Sequence, residues 1–209
     1  KTRASMINCE NQGEVVGKKS NVGGLVGNMD LGYIKGCIAT GLVESVSGDY
    51  VGGIAGKGNG PICSSYAKCA LRGDNYVGGI AGLAKEVTNC CSMVVVERSR
   101  ACVGAIAGYV DEGSVIRNNY FVSSVLAGID GISYANRAEP ITYEELIAIG
   151  GLPSVFMKFK ARFWADGKIV DMLEFSYGGC IAQTDIPKIP PKPGHYGRWK
   201  GLDVTNVTC

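Results

Sequence analysis

Apolar and polar positions recur along this chain in two interlocked phrases. One occurs as Val22-Gly-Gly-Leu-Val-Gly27, Val51-Gly-Gly-Ile-Ala-Gly56, Val77-Gly-Gly-Ile-Ala-Gly82 and Val103-Gly-Ala-Ile-Ala-Gly108, with starts 29, 26 and 26 residues apart. The other places an apolar residue two positions before a small polar one: Met6 before Asn8, Ile34 before Gly36, Ile62 before Ser64, Val87 before Asn89 and Ile116 before Asn118. From its apolar residue to the next glycine phrase the distances are 16, 17, 15 and 16 residues, and insertions collect after the glycine phrase. Periods of this length mark stacked repeats.

Both phrases alternate as half-buried strands do. In Val51–Gly56 the long residues Val51 and Ile54 fall on opposite parities, which predicts a bend at the glycine pair. No repeat carries a twelve-residue helical stripe, and each glycine would cost a helix about 1 kcal/mol. Strands this short bury a face only by stacking on their neighbours. The pattern therefore predicts a mainly β fold, a parallel β-solenoid of four to five rungs over residues 6 to about 130.

Rungs in such a stack lie about 4.8 Å apart, so like residues fall over like. One predicted column is Met6, Ile34, Ile62, Val87 and Ile116; a second is Cys9, Cys37, Ser65, Cys90 and Asn119. Cysteine suits an internal ladder as a small hydrophobe, and the thiols are expected to be free even where Cys9 and Cys37 stack within disulfide range. The neighbours Cys90 and Cys91 are not expected to point inward together.

After Ile132 the glycine phrase stops. Thr142 and Glu145 form a capping box, Leu146, Ile147 and Ile149 an apolar stripe, and Gly150-Gly151 a stop signal. This predicts a short helix over 142–149 lying on the end of the solenoid and hiding its last strand. From Phe156 the pattern is β, with Phe156, Lys158 and Lys160 on one face and Met157, Phe159 and Ala161 on the other. Asp166-Gly167 reads as a tight hairpin turn. The predicted domains are a solenoid over 1–137, a helical cap or linker over 138–155 and a small β-rich module over 156–209.

The four glycine phrases, with anchors such as Ile34-Lys-Gly-Cys-Ile-Ala-Thr-Gly41, resemble the GLUG motif of large bacterial surface and secreted proteins, over roughly residues 6 to 128. That resemblance implies a right-handed solenoid beside other domains and an extracellular or cell-surface location. Some relatives are metallopeptidases whose zinc helix carries HExxH, and this sequence has no HExxH. The run Phe175-Ser-Tyr-Gly-Gly179, then Ile186-Pro-Lys-Ile-Pro-Pro-Lys-Pro-Gly-His-Tyr-Gly-Arg-Trp-Lys200 and Leu202-Asp-Val-Thr-Asn-Val-Thr208, resembles a small β-module of Firmicutes surface proteins, except that His195 stands where an aromatic is usual. The chain starts without methionine and ends on Cys209, and we read it as a piece of a longer protein.

Composition narrows the chemistry. Hydrophobic residues make up 46% and charged residues 19%, the reverse of a disordered chain, and glycine reaches 31 of 209 residues. A net charge of +2 supplies no electrostatic case for nucleic acid. No apolar run is long enough for membrane insertion. Nine cysteines without a CxxC pair, and the single histidine His195, argue against a zinc site, so no metal or organic cofactor is expected. Calcium at turns bearing Asp30, Asp49 or Asp111 is the one exception kept open.

His195 with Cys180 or Cys209 is a conceivable nucleophile pair, set against a surface turn histidine. Gly56–Pro61 fails as a phosphate loop because its spacing is wrong and a β phrase follows, and Gly17-Lys-Lys-Ser20 fails as a Walker loop. Asp30, Asp49, Asp74, Asp111 and Glu112 are read as turn residues, with Asp49 and Asp74 at one repeat position. Tyr50 and Tyr76 are equivalent and predict an exposed tyrosine strip that stacks on a sugar or a peptide. Tyr50, Tyr76, Asp49 and Asp74 are therefore the candidate contact surface of a non-catalytic scaffold or adhesion module. Its partner would be a host glycoprotein, a cell-wall polysaccharide or neighbouring domains. The alternative is a carbohydrate-active hydrolase or lyase that uses the turn carboxylates.

Overall fold

The computed structural model describes residues 4–133, 136–176 and 181–199. The chain divides into two compact units, Lys1–Gly151 and Leu152–Cys209.

The first unit is a three-walled parallel β-solenoid. Its first wall stacks Ala4–Ile7, then Val26–Met29 with Gly32–Lys35, then Ala55–Cys63, Ala81–Thr88 and Ala107–Arg117. The second stacks Glu10–Asn11 and Val15–Gly17, Ile38–Ser45, Tyr66–Arg72, Cys91–Ser92 with Val95–Arg98, Asn119–Phe121 and Ala138–Pro140. The third stacks Val22–Gly23, Val51–Gly52, Asn75–Gly78 and Ala101–Gly104. Every pairing between strands of these walls is parallel.

The repeated phrases are the corners of this prism. Asn8, Gly36, Ser64, Asn89 and Asn118 turn the chain from the first wall to the second, each with a positive φ. That is the left-handed region, which only glycine enters freely and asparagine enters at small cost. Here lies the physical reason for the small polar residue two places after the apolar anchor. The glycine phrase turns the chain from the third wall to the first. The third-wall strand ends at Gly52, the first-wall strand restarts at Ala55, and Val51 and Ile54 are both fully buried on either side of the bend. Gly56 is obligatory there, because a Cβ would lie 2.6 Å from the backbone of both Gly27 and Val22.

Both predicted columns form. Met6 opposes Ile34, Ile34 opposes Ile62, Ile62 opposes Val87 and Val87 opposes Ile116. The cysteine column is a hydrogen-bonded ladder as well as a packed one. Each backbone N–H donates to the side chain of the next rung: Cys9 to Cys37 Sγ at 3.4 Å, Cys37 to Ser65 Oγ at 3.2 Å, Ser65 to Cys90 Sγ at 3.4 Å and Cys90 to Asn119 Oδ1 at 2.9 Å. The corner leaves these N–H groups without a strand partner, and the small polar side chain inside supplies one. All seven cysteines among the described residues are free.

Cys90 and Cys91 do not face the core together, as expected: Cys90 occupies the corner ladder and the core, whereas Cys91 begins the next strand on the outward parity, buried in register with Tyr66 and Tyr120. Two local expectations are corrected. The capping box forms, with Glu145 N–H donating to Thr142 Oγ1 at 3.1 Å and Thr142 N–H to Glu145 Oε2 at 2.8 Å. The helix Tyr143–Ala148, however, buries Tyr143 and Leu146, while Ile147 and Ile149 stay 38% and 50% exposed. What extends the second wall past Asn119–Phe121 is a strand, Ala138–Pro140, rather than the helix. A degenerate glycine phrase precedes it: Ala105 and Ile106 donate to Ala127 O and Gly128 O, and Ile129 bridges Ala107.

The second unit is a hairpin of Lys158–Ala165 and Lys168–Ser176. Asp166 and Gly167 have φ of 47° and 75°, as a primed two-residue turn demands. The strand begins at Lys158, because Ser154–Met157 is a 3-10 turn. Phe156 therefore does not continue the strand alternation and is buried, while Met157 is exposed. Phe159 stacks on Phe175 at 5.7 Å between centroids, and Phe163 meets Trp199 edge-on at 5.2 Å. Trp199 Nε1 donates to Pro187 O at 2.9 Å, which ties residues 187–199 to the same side of the ribbon as Phe163. Cys180, Cys209 and the Leu202–Thr208 motif lie outside the described residues.

Candidate functional site

The entry to the third wall, where the chain arrives from the second, carries the most unusual side-chain arrangement. Its left-handed position is Asn21 in the first rung, then Tyr50, Tyr76 and Cys102, with φ of 62°, 62°, 57° and 55°. Asparagine tolerates this backbone, whereas a bulky aromatic is disfavoured there by roughly 1 kcal/mol. The two tyrosines stack, with centroids 4.8 Å apart and planes 12° from parallel. Tyr109 meets Tyr76 edge-on at 5.9 Å, and the Lys57 ammonium lies 5.5 Å over the Tyr50 ring. Lys57, Leu83 and Tyr109 are successive partners in the first wall, so they border the stack rung by rung.

This geometry changes what the strip can do. Tyr50 gives one face to Tyr76 and carries the Lys57 ammonium over its ring, while Tyr76 contacts both Tyr50 and Tyr109. The expected sugar-stacking face is therefore used within the protein, and the strip offers ring rims and hydroxyls. The Cys102 thiol and the Tyr50 hydroxyl, ahead of partial desolvation, push the Tyr76 hydroxyl above the usual tyrosine value and keep it a neutral donor.

The carboxylates do not sit where equivalence by sequence position puts them. Val51 pairs with Val77, so Asp49 falls opposite Asn75 and Asp74 opposite Gly48. Asp49 Oδ1 accepts from Asn75 N–H at 3.1 Å and from Asn75 Nδ2 at 2.9 Å, fastening one corner to the next. Asp74 pairs with Arg98 at 3.4 Å and Arg100 at 4.0 Å. Arg98 and Arg72 share Glu44, and Arg72 also binds Glu97 at 2.6 Å. Both aspartates thus belong to a surface lattice that staples rungs together, beside the tyrosines and separate in role from them.

The remaining candidates disperse. Asp30 Oδ1 accepts from Asn28 at 3.2 Å and Asn59 at 3.3 Å. Asp111 and Glu112 lie within the strand Ala107–Arg117, at a register shift, rather than in a turn. Gly56–Pro61 is part of the strand Ala55–Cys63. His195 sits in an exposed turn closed by a bridge between Lys192 and His195, its Nδ1 3.0 Å from Pro193 O. Among the described residues no three His, Cys, Asp or Glu side chains converge as a metal site. Burial pushes the thiols of Cys69 and Cys90 up to about 12 and that of Cys91 to about 11, so these cysteines remain neutral packing groups.

Sequence reasoning found Tyr50 and Tyr76 but missed Lys57, Leu83 and Tyr109. Each of these directly follows a glycine phrase, a regularity readable in the sequence once the phrase is known to be a corner. No family model, curated protein or solved structure matches the chain.

Proposed function

We propose that this solenoid is a non-catalytic scaffold and adhesion module of a bacterial surface protein, located extracellularly, with the Lys57–Tyr50–Tyr76–Tyr109 strip as its contact surface. The resemblance of its glycine phrases to GLUG repeats supports the setting. The observation that carries the contact surface is the backbone beneath the strip. Two adjacent rungs hold tyrosine in a left-handed conformation where the first rung holds asparagine, and strain of this kind persists where a side chain is needed in place.

The partner is a hydroxyl-rich surface, a glycoprotein or cell-wall polysaccharide, read by hydrogen bonds to tyrosine rims and by contact with the exposed Tyr109 ring. Asp49 and Asp74, the carboxylates that a hydrolase reading would use, already accept hydrogen bonds or pair with arginine across rungs. A glycan and matrix-protein array tests the proposal, with a reducing-sugar release assay on the same polysaccharides. Binding without turnover is expected, lost in Tyr50→Asn/Tyr76→Asn, which suits the backbone and keeps the fold. Sugar release abolished by Asp49→Asn would replace the adhesion reading with a catalytic one.

A further inference from the structure

The hairpin of the second unit has one packed face and one bare face. Along Lys158–Ala165 the buried Phe159 and Phe163 alternate with the exposed Lys158, Lys160, Arg162 and Trp164. Across the ribbon, Met172 opposes Arg162 and Ile169 opposes Trp164, with Val170 as the extra residue of a bulge between them. Trp164 is 56% exposed, Met172 53%, Ile169 44% and Val170 40%. Four large apolar side chains thus crowd the turn end of one small ribbon. Behind them on the same strand stand Arg162 and Lys160; of the two carboxylates on the partner strand, Glu174 pairs with Lys160 at 3.3 Å, and Asp171, opposite the buried Phe163, accepts from Met172 N–H at 2.8 Å. Lys168 adds a further cation beside the turn. The turn's own carboxylate, Asp166, is held by Lys192 at 2.8 Å, so its charge is compensated.

We propose that this ribbon docks on an anionic phospholipid surface, with Trp164, Ile169, Val170 and Met172 entering the headgroup boundary and Arg162 and Lys168 facing lipid phosphates. The order of the groups selects the ligand. An apolar end with tryptophan at its margin and cations behind matches the polarity gradient of a bilayer interface. A soluble polyanion would engage the cations and leave Ile169, Val170 and Met172 in water. The contact is peripheral, and no helix among the described residues is long and apolar enough to cross a membrane.

The test is co-sedimentation of the whole chain with vesicles of equal parts phosphatidylcholine and phosphatidylglycerol, and with phosphatidylcholine alone. Binding to the anionic vesicles is expected, weakened by salt, with a blue shift of tryptophan emission that disappears in Trp164→Ala. Arg162→Glu/Lys168→Glu should weaken binding at least about thirtyfold, which corresponds to ~2 kcal/mol for two cations. Met172→Ser serves as the second apolar variant should Trp164→Ala lower the melting point. Three results would overturn the proposal: no sedimentation with anionic vesicles, equal sedimentation with the neutral ones, or competition by heparin with no effect of either apolar variant. The last would assign the face to a polyanion.

Discussion

Gly78→Ala is expected to be among the most damaging single-methyl additions to the solenoid, and the structure says by how much. A Cβ at Gly78 would overlap Ala81 O and Gly108 N and lie 2.8 Å from the Ala107 carbonyl carbon. All three obstructing atoms are backbone, two of them on the next rung, so no side-chain rotation can relieve the contact. Overpacking of adaptable sites costs about 1–3 kcal/mol, and a site walled by backbone belongs at or above the top of that range. Gly113→Ala provides the control. Nothing lies within 4 Å of its Cβ position, and its φ of 80° leaves only left-handed strain, about 1 kcal/mol. The difference of at least about 2 kcal/mol corresponds to roughly 4–8 °C in melting temperature for a unit of this size. Urea and thermal unfolding of both variants, followed by far-ultraviolet circular dichroism, read it directly. Equal midpoints would refute the explanation of the glycine phrase as a corner where three backbone segments nearly touch.

Asn119 is fully buried, accepts from Cys90 N–H and donates to Val87 O and Arg137 O at 2.9 Å each, so Asn119→Leu should cost at least about 3 kcal/mol by leaving those groups unpaired; chemical denaturation against wild type checks it. The raised thiol values of Cys69 and Cys90 give a pH dependence with a definite sign. In the unfolded chain these thiols ionise near 9, in the folded one at about 12, so their contribution is intact below pH 9 and is lost as pH rises toward 12. The slope should be on the order of 1 kcal/mol per pH unit for each thiol, and Cys69→Ala should flatten the decline in melting temperature. Under native conditions a thiol reagent should modify Cys9, Cys63 and Cys102 well before Cys37, Cys69, Cys90 and Cys91, in the order of their burial. With Asp30 and Asp49 satisfied by asparagine donors, EDTA should leave the melting temperature unchanged; a calcium-dependent rise would restore the turn-site reading.

The stacking of rungs was legible because a parallel solenoid writes its period into the sequence. Met6 to Ile116 and Cys9 to Asn119 fall in register because the corner between the first and second walls recurs as a small residue with positive φ and the bend from the third wall to the first as a glycine phrase. The function of the cysteine column was less legible. Packing was readable from residue type, whereas its hydrogen-bonded role follows from orphan N–H groups that only the corner geometry reveals. Equivalence of Asp49 and Asp74 failed because the two lie at different distances from their valines, and register is counted from Val51 and Val77. The last rung escaped notice because its glycine phrase has decayed to Leu126-Ala-Gly-Ile129, which keeps the backbone contacts without the pattern. The tyrosine strip was half legible: repetition exposes Tyr50 and Tyr76, but the left-handed backbone beneath them and the occupation of their ring faces do not show in residue identity.

The most direct test of the stacked-rung account is a distance across four rungs between residues far apart in sequence. Asn28, Lys57, Leu83 and Tyr109 are successive partners in the first wall, so Asn28 and Tyr109 are three strand spacings apart, about 14 Å. Spin labels on Asn28→Cys and Tyr109→Cys, in a background lacking Cys9, Cys63, Cys102, Cys180 and Cys209, should show strong dipolar broadening in continuous-wave spectra, absent from either single-labelled protein and abolished by denaturant. A doubly labelled protein whose spectrum equals the sum of the single-labelled ones would contradict the stack, and with it the alignment that sets Tyr50 over Tyr76.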